Sequence, residues 1–374
     1  GRVARAHRRT HRTWTTLGLA FLGVVFATAA VFVVAALTRD TGVLGFLGGA
    51  LLAAVPVVPA MQVLMWLDRY EPEPASLLVT SFLWGATVAA GVALVINSTV
   101  ATLLSARGAG PGVEVLVVAP FVEEAAKGLL LLGVLWRRRA ELDSVVDGVV
   151  LGGMVGLGFA FTENILYFGR LFLLGGTAQG LLTLGVTFFV RAVLSPLAHP
   201  LFTACTGAGV ALAAGTRRRT VRVLAPMFGY VVAALLHSAW NTAASAGLAG
   251  FLNAYAFVMV PIFLVALAGV LIARAREGRV VARWLPSYAA AGWLTAQEAA
   301  ILTSLPARRA QLRAARAAGG RGAQAAVQEY QAVATELAFL RERATRRGPD
   351  PDFAEVEQAL LRRLASLRGA PGWR

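Results

Sequence analysis

The sequence predicts an all-α protein, a polytopic membrane helix bundle of about eight transmembrane helices followed by a cytoplasmic helical C-terminal tail. Two observations support this fold class. Of the 374 residues, 57% are hydrophobic and only 15% are charged, with a mean hydropathy of +0.66, which is too apolar for an ordinary soluble domain. The apolar residues also collect in segments that approach or exceed the roughly 18 to 20 residues needed to cross a bilayer.

Eight segments meet this length requirement. They are residues 17–37, 44–67, 77–104, 113–136, 145–168, 182–214, 223–246 and 251–272. The first follows a basic stretch and is longer than the apolar core of a cleavable signal peptide, so we interpret it as an anchor. The sixth contains Arg191, Pro196 and Pro200, and we predict a single span over 197–214 preceded by a kinked re-entrant piece.

The arginines predict the orientation of the bundle. They cluster at residues 2–12, 137–139, 217–222 and 274–283, which all fall on one side if each segment crosses once. The positive-inside rule makes that side cytoplasmic, together with both termini. Because no base-stacking motif accompanies the net charge of +15, topology and the lipid bilayer's anionic headgroups explain it better than nucleic acid. The lysine-poor, Ala/Arg/Gly-rich composition favours a GC-rich bacterial genome, and we expect a multi-pass protein of the bacterial cytoplasmic (inner) membrane.

The composition divides the chain into two domains. After residue 274 it changes from apolar to Ala, Arg, Gln and Glu. We therefore predict a transmembrane domain over residues 1–274 and a cytoplasmic helical tail over 275–374, in which Thr295 and Glu298 fit a capping box at a helix start. The only cysteine, Cys205, excludes an intrachain disulfide.

Three ionisable residues occupy the middle of the apolar segment 113–136. They are Glu123, Glu124 and Lys127, and Lys127 is the only lysine of the chain. An ionised side chain at mid-bilayer costs roughly 2.5 to 3.5 kcal/mol even on the lenient insertion scale, which favours a functional site. The i,i+4 and i,i+3 spacings let Lys127 neutralise either carboxylate. A purely structural buried ion pair is the alternative.

The fifth span ends in two further polar residues, Glu163 and Asn164. Gly148, Gly152 and Gly156 recur every four residues before them. Such a stripe lets a neighbouring backbone approach closely. We expect this packing to bring Glu163 and Asn164 to the fourth span.

Two of the four histidines, His199 and His237, fall in the sixth and seventh spans, with Thr203 and Asn241 one turn later. A single histidine in an apolar helix is usually a hydrogen-bonded core residue. Two imidazoles beside carboxylates suit zinc with an open coordination position instead. An amide on the same helical face can orient a ligand or stabilise an oxyanion.

The depth of these groups in the bilayer is compatible with one site. At 1.5 Å per residue, Glu123 and Glu124 lie roughly 15 Å below the outer surface. In the predicted orientation, Glu163, His199 and His237 fall in the outer half of their spans. Polar groups from four helices are therefore expected to converge in a site that opens toward the outer face.

Four stretches on successive spans carry these residues: Glu123-Glu-Ala-Ala-Lys127, Phe159-Ala-Phe-Thr-Glu163-Asn164, His199-Pro-Leu-Phe-Thr203 and His237-Ser-Ala-Trp-Asn241. Together they resemble the PrsW family of intramembrane proteases, which is distantly similar to the CAAX-processing and bacteriocin-immunity membrane proteases. The stretch from Asp68 to Pro74 and the pair Asp147-Gly148 also resemble that family. The resemblance covers about residues 60–245. It implies regulated cleavage of a membrane-spanning protein, in the best-known case an anti-sigma factor cut on its extracytoplasmic side.

The resemblance implies hydrolysis of a peptide bond in a water-accessible cavity. Glu123 or Glu124 would act as general base on the attacking water, and Glu123 is favoured because it shares a helical face with Lys127. Lys127 would keep the two carboxylates ionised. Asn241 would assist the oxyanion.

Zinc is the expected cofactor. His199, His237 and Glu163 are the predicted ligands of an ion that polarises the water and the carbonyl. Asn164 and Thr203 would support these ligands by hydrogen bonds. A metal-free mechanism, in which a Glu-His pair activates water, stays open within the same family grouping.

Two other function classes compete with proteolysis. A proton-coupled membrane transporter would also use a Glu/Lys/His cluster as a relay. The sequence lacks the two matching halves with paired broken helices that transporters usually show. A catalytically inactive scaffold acting through its tail is the third class. The sequence specifies neither the substrate nor an oligomeric state.

Overall fold

The computed structural model describes residues 2–69, 73–108, 111–139, 142, 144–349 and 351–368, with side chains from residue 20 onward except at 111 and 347. Every secondary-structure element in these ranges is helical, which confirms the all-α prediction. This description leaves out the side chains of the basic residues within 2–12. It also leaves out residues 70–72, which belong to the stretch from Asp68 to Pro74 that resembles the PrsW family.

The described elements form fourteen helices, several of them extended by π-helical turns. They are α1 Arg2–Leu67, α2 Ala75–Leu83, α3 Ala90–Ala106, α4 Pro111–Val113, α5 Ala119–Arg137, α6 Val145–Phe172, α7 Ala178–Phe188, α8 Ala198–Ala214, α9 Arg219–Ser245, α10 Gly247–Ala254, α11 Val260–Ala290, α12 Ala296–Thr303, α13 Leu305–Arg347 and α14 Phe353–Leu367. The π-helical turns are Trp84–Ala89, Glu114–Val118, Phe189–Leu194 and Tyr255–Met259.

Within the described ranges, six helical stretches are long and apolar enough to cross a membrane. They are Ala20–Leu67, Ala75–Ala106, Val145–Phe172, Ala178–Ala214, Arg219–Ser245 and Gly247–Ala290. This pattern confirms a polytopic helical bundle. The segment containing α5 is absent from the six because it carries three charged residues in its middle, Glu123, Glu124 and Lys127, although it matches one of the eight predicted spans.

The first stretch corresponds to two of the predicted spans. It contains 48 residues and is interrupted at Gly42, whose φ of 67° lies in the left-handed region that favours glycine. Val33 and Leu37 pack in one buried cluster with Ala53. A straight helix would hold residues 33 and 53 about 30 Å apart, so the chain folds back at Gly42.

Helix α6 is the most buried of the candidate spans, and its glycine stripe packs against α8. A Cβ at Gly148 would lie 2.1 Å from the carbonyl oxygen of Gly207, and one at Gly156 would lie 2.4 Å from that of His199. The close backbone approach that the stripe predicts is therefore made by α8. The small residues Gly207 and Ala204 of α8 allow the close approach, whereas α5 places larger side chains in the bundle.

The helical path is broken at residues 195–197, between the π-helical turn Phe189–Leu194 and α8. The Ser195 hydroxyl donates a 2.5 Å hydrogen bond to the carbonyl of Val190, which closes the preceding turn. Pro200 then falls in the first turn of α8, where its missing N–H costs nothing. This break agrees with the predicted span over 197–214 and with a separate helical segment before it. The break leaves His199 at the start of α8.

The C-terminal helices have their own hydrophobic core. The second half of α11, α12, α13 and α14 contribute buried residues to it, among them Leu285, Leu302, Leu337 and Leu364. The predicted capping box of Thr295 and Glu298 is present at the start of α12. Helix α11 continues through residue 274 without interruption, so the division of the chain at that residue stays a prediction.

Candidate active site

Four helices bring the predicted polar residues together at the centre of the bundle. Helix α5 supplies the two glutamates and the lysine, α6 supplies Glu163, α8 supplies His199, and α9 supplies His237. Glu124 and Lys127 are fully buried, and the two histidines are nearly so. The gathering of these groups on facing helices agrees with the convergence predicted from depth.

Lys127 lies between the acidic and the imidazole groups. Its Nζ is 2.7 Å from Oε1 of Glu124 and 3.8 Å from Oε2 of Glu123, as the helical spacing predicts. The same nitrogen is 3.3 Å from Nδ1 of His199 and 3.7 Å from the ring centroid of Phe159. One cation therefore balances two carboxylates and contacts an aromatic face in a buried environment.

Glu124 is held by partners on three helices. Besides Lys127, its Oε2 accepts a 2.9 Å hydrogen bond from the hydroxyl of Thr203. Its Oε1 lies 3.1 Å from Nδ1 of His237. Because both carboxylate oxygens are engaged, Glu124 has a fixed orientation.

Glu123 is held less tightly. Its Oε1 accepts a 3.1 Å hydrogen bond from the side-chain amide of Asn97 on α3. Its Oε2 is buried and has no hydrogen-bond partner among the described residues, although Nε2 of His237 lies 3.7 Å away. One oxygen of Glu123 is thus able to accept a proton or a hydrogen bond from another molecule. Sequence reasoning missed Asn97, whose only signal is a polar side chain in an apolar span.

The two histidine rings are in contact. Their centroids are 4.9 Å apart and their planes are perpendicular. Phe202, on the same helix as His199, stacks on His237 with a centroid distance of 5.2 Å. These aromatic contacts restrict the orientation of both imidazoles.

Glu163 and Asn164 meet the site through α8 and the segment before it. Oε2 of Glu163 lies 2.8 Å from Nε2 of His199 and accepts a 2.5 Å hydrogen bond from Arg191. Arg191 also donates to Oδ1 of Asn164 at 2.6 Å and lies over the ring of Tyr167. Sequence reasoning treated Arg191 only as a charge in a kinked segment, yet it holds both polar residues at the end of α6.

Asn241 lies apart from the other site residues. Its amide nitrogen donates a 2.9 Å hydrogen bond to the carbonyl of Val115, near the start of the segment that leads into α5. The side chain is partly exposed. The shared helical face with His237 is therefore not enough to bring Asn241 to the buried cluster.

Three of the clustered residues form a donor set for a metal ion. Glu124, His199 and His237 each offer one ligand atom, and these atoms lie within 4.8 Å of one another. Two imidazole nitrogens and one carboxylate oxygen are the ligands that catalytic zinc sites use. The buried donor set therefore fits such an ion, with Glu124 in the place that the sequence assigned to Glu163.

A small cavity lies beside the donor set. Its volume is about 20 Å³, and His199, Asn164, Arg191 and Trp240 are among its lining residues. A cavity of this size holds about one water molecule where polar groups such as Asn164 and Arg191 line it. The site therefore has room for a water next to an imidazole.

Comparisons with known proteins identify the family of the chain. Residues 73–276 match the sequence model described as PrsW family intramembrane metalloprotease. The chain is 31% identical to Protease PrsW of Geobacillus kaustophilus over 162 residues, which cover 42% of this chain and 64% of the relative. It is 31% identical to Protease PrsW of Clostridioides difficile over 42% of this chain and 62% of the relative.

A third relative, Protease PrsW of Bacillus subtilis, is 27% identical over 57% of this chain and 88% of the relative. No solved structure matches the chain. The candidate spans and these bacterial relatives support a multi-pass bacterial membrane protein. Because the matched region includes every residue of the site and more than half of the chain, the protein belongs to the PrsW family of intramembrane metalloproteases.

Proposed function

We propose that the protein is an intramembrane endopeptidase that hydrolyses a peptide bond of a membrane-embedded protein. The observation that carries this proposal is the buried convergence of two glutamates, a lysine and two histidines from three helices, with a carboxylate from a fourth. Intramembrane ionisable residues gathered in this way are typical of a functional site within a membrane. Every curated relative reported above is named a protease, and none supports the transporter alternative.

Glu123 is the proposed general base. Its Oε2, which has no hydrogen-bond partner among the described residues, would take a proton from the attacking water while the water oxygen forms a bond to the carbonyl carbon of the scissile peptide. The proton would then pass to the leaving amine as the carbon–nitrogen bond breaks. Glu124 is less suited to this role because Lys127, Thr203 and His237 already engage it.

His199, His237 and Glu124 are the proposed holders of a zinc ion. When bound, zinc polarises a water and a peptide carbonyl as a Lewis acid. The contact of Glu163 with Nε2 of His199 supports a role in fixing that ring, and Arg191 in turn fixes Glu163. Direct ligation by Glu163, as the sequence predicts, is the alternative that metal analysis distinguishes.

The metal-free mechanism is the second candidate within the same activity. His237 Nε2 lies 3.7 Å from the free oxygen of Glu123, so a small rearrangement would give a Glu-His pair. In that mechanism the pair would activate water without an ion. The oxyanion role of Asn241 stays a prediction in either case, since its amide must first leave the carbonyl of Val115.

The proposed substrate is an apolar membrane-spanning segment. A cavity of about 250 Å³ lies across Phe202 and Trp240 from the histidines, and its other lining residues are mostly apolar. The predicted orientation, with both termini cytoplasmic, puts cleavage in the outer half of the bacterial cytoplasmic membrane. An anti-sigma factor-like protein is the substrate class that the family resemblance implies.

Two measurements test the function. Membranes from cells expressing wild type or Glu123→Gln are compared for new protein N-termini, and the proposal expects fragments of a membrane protein only with wild type. Zinc is measured in purified wild type, His199→Ala and His237→Ala, with His11→Ala as a control outside the predicted spans. About one zinc per chain, lost in both site variants and kept in the control, supports the metal site. Zinc absent from an active wild type would favour the metal-free mechanism, and no difference in fragments would contradict proteolysis.

A further inference from the structure

Asn97 of α3 holds the proposed general base, although it lies outside the four polar stretches of the sequence. Its side-chain amide donates a 3.1 Å hydrogen bond to Oε1 of Glu123 on α5, 26 positions further along the chain. Other polar side chains of α3 are satisfied within the helix. The hydroxyls of Thr99 and Thr102 each donate a 2.8 Å hydrogen bond to the carbonyl four residues earlier. Asn97 thus differs from these neighbours because it reaches another helix.

Small residues bring α3 close enough to α5 for this contact. Ala90 and Ala93 of α3 are buried in one cluster with Ala126 of α5. The indole of Trp84, in the π-helical turn before α3, donates a 3.0 Å hydrogen bond to the carbonyl of Ala126. Small side chains let neighbouring helices approach closely, and Asn97 follows Ala93 by four residues, on the same helical face. The short side chain of an asparagine therefore reaches α5.

The two carboxylate oxygens of Glu123 have different surroundings. Oε1 accepts the hydrogen bond from Asn97, whereas Oε2 is buried and has no hydrogen-bond partner among the described residues. Oε2 lies 3.8 Å from Nζ of Lys127 and 3.7 Å from Nε2 of His237. Both distances are longer than a hydrogen bond. This oxygen is therefore close to two nitrogens and bound by neither.

Glu124 shows the other state that a carboxylate can adopt beside the same two residues. Its Oε1 lies 2.7 Å from Nζ of Lys127 and 3.1 Å from Nδ1 of His237. Rotation about the last side-chain bond of Glu123 would allow similarly short contacts, because this torsion has a broad minimum. The hydrogen bond from Asn97 to Oε1 opposes that rotation.

A purely structural role explains Asn97 less well. Its Oδ1 is buried and has no hydrogen-bond partner among the described residues. A buried acceptor without a donor is unfavourable, and Oε2 of Glu123 is a second one in the same pair of side chains. An arrangement that is unfavourable in both of its groups is typical of a functional site, where a required geometry is kept at the expense of stability.

We propose that Asn97 is a positioning residue that acts through the general base Glu123. By holding Oε1, its amide keeps Oε2 out of contact with Lys127 and His237. Oε2 is then free to take the proton of the attacking water. Without the amide, the carboxylate turns toward the lysine and the histidine and becomes engaged as Glu124 is. This inference rests on the proposed proteolytic function and on Glu123 as its base.

The test compares Asn97→Leu, which removes the amide at similar size, with wild type in membranes of cells that express the full chain. The yield of the protein fragments that wild type produces should fall about 100-fold, the effect of misplacing a reacting group by roughly 1 Å. The unfolding temperature of the purified variant should stay at or above the wild-type value, because Glu123 gains contacts. Loss of activity without loss of stability distinguishes positioning from a structural role.

Two further variants complete the test. Asn97→Gln retains a side-chain amide and should recover most of the cleavage. Asn253→Leu is the matched control, since Asn253 is an exposed residue of α10. It should produce the same yield of fragments as wild type.

Several results would overturn the inference. Wild-type or greater cleavage in Asn97→Leu would make a Glu-His pair the active arrangement. A parallel loss of cleavage and of unfolding temperature, or failure of this variant to fold, would assign Asn97 a structural role. Asn97→Gln that folds and is as inactive as Asn97→Leu would exclude the amide as the acting group, and an equal loss in Asn253→Leu would show an unspecific effect. Absence of fragments with wild type itself would overturn the proposed function and this inference with it, so the two failures are distinct.

Discussion

Nε2 of His199 lies 2.8 Å from Oε2 of Glu163, so a carboxylate of α6 orients an imidazole of α8. Arg191 donates to the same carboxylate oxygen from a third segment of the chain. The contacts from Arg191 through Glu163 to His199 thus connect the segment before α8 to the proposed catalytic centre.

Replacing Arg191 by glutamine should reduce the affinity for zinc about 10- to 100-fold, because Glu163 would no longer be held against His199. Competition with a zinc chelator measures this change. Arg170→Gln is the matched control, since Arg170 pairs with Asp40 on the exposed side of α6. Equal zinc affinity in Arg191→Gln and wild type would contradict the positioning role.

The two adjacent glutamates should differ in their effects. Glu123→Gln is expected to lower cleavage about 10²- to 10⁴-fold while zinc is retained, because only the proton acceptor is removed. Glu124→Gln is expected to lose zinc as well, since Glu124 belongs to the donor set. Cleavage and metal content are measured together, with Glu114→Gln as a control in the π-helical turn before α5. Cleavage that persists in Glu123→Gln would remove the base assignment.

Lys127→Met should destabilise the protein by about 3–5 kcal/mol, because it leaves the buried carboxylate of Glu124 without its cation. Thermal unfolding in detergent measures the loss. Combining Lys127→Met with Glu124→Gln should recover part of it, since the uncompensated charge is also removed. If the single variant unfolds at the wild-type temperature, the ion pair does not stabilise the fold.

The packing of α6 against α8 predicts a steric effect. A Cβ at Gly148 would lie 2.1 Å from the carbonyl oxygen of Gly207, and Gly148→Ala should destabilise the protein by about 1–3 kcal/mol. At Gly133 of α5 an added Cβ meets nothing within 4 Å, so Gly133→Ala should be neutral or slightly stabilising. Similar unfolding temperatures for the two variants would indicate that α6 and α8 are not in close contact.

The C-terminal helices should lose stability in acid through Glu298. Burial raises the pKa of Glu298, but hydrogen bonds from Arg368 and Thr295 outweigh burial and leave it below the ordinary value of 4.5. A lowered folded-state pKa stabilises the fold above the unfolded value, and this contribution disappears as the pH falls through the folded value. Unfolding temperatures of the full chain below pH 4.5 should therefore fall less steeply for Glu298→Gln than for wild type. Parallel acid profiles would contradict the contribution of this pair.

The polar residues of the site were predictable because a bilayer makes each charged side chain unfavourable. Glu123, Glu124 and Lys127 stand out for that reason in an apolar segment. Asn97 and Arg191 carry no comparable signal, because one is a neutral amide and the other belongs to a chain rich in arginine. Their roles depend on α3 meeting α5 and on the π-helical turn before α8 meeting α6, and neither contact is encoded in local spacing.

By itself, the sequence determined the helical membrane class and the family resemblance, since hydropathy and short motifs set these properties locally. Only the tertiary structure decided that the glycine stripe of α6 packs on α8, and that Glu124 shares a donor set with His199 and His237 while Glu163 contacts Arg191. The physical reason is that a metal-ligand or hydrogen-bond contact requires a fit within a few tenths of an ångström. That fit depends on helix rotation and neighbour choice, which helical periodicity alone leaves undetermined.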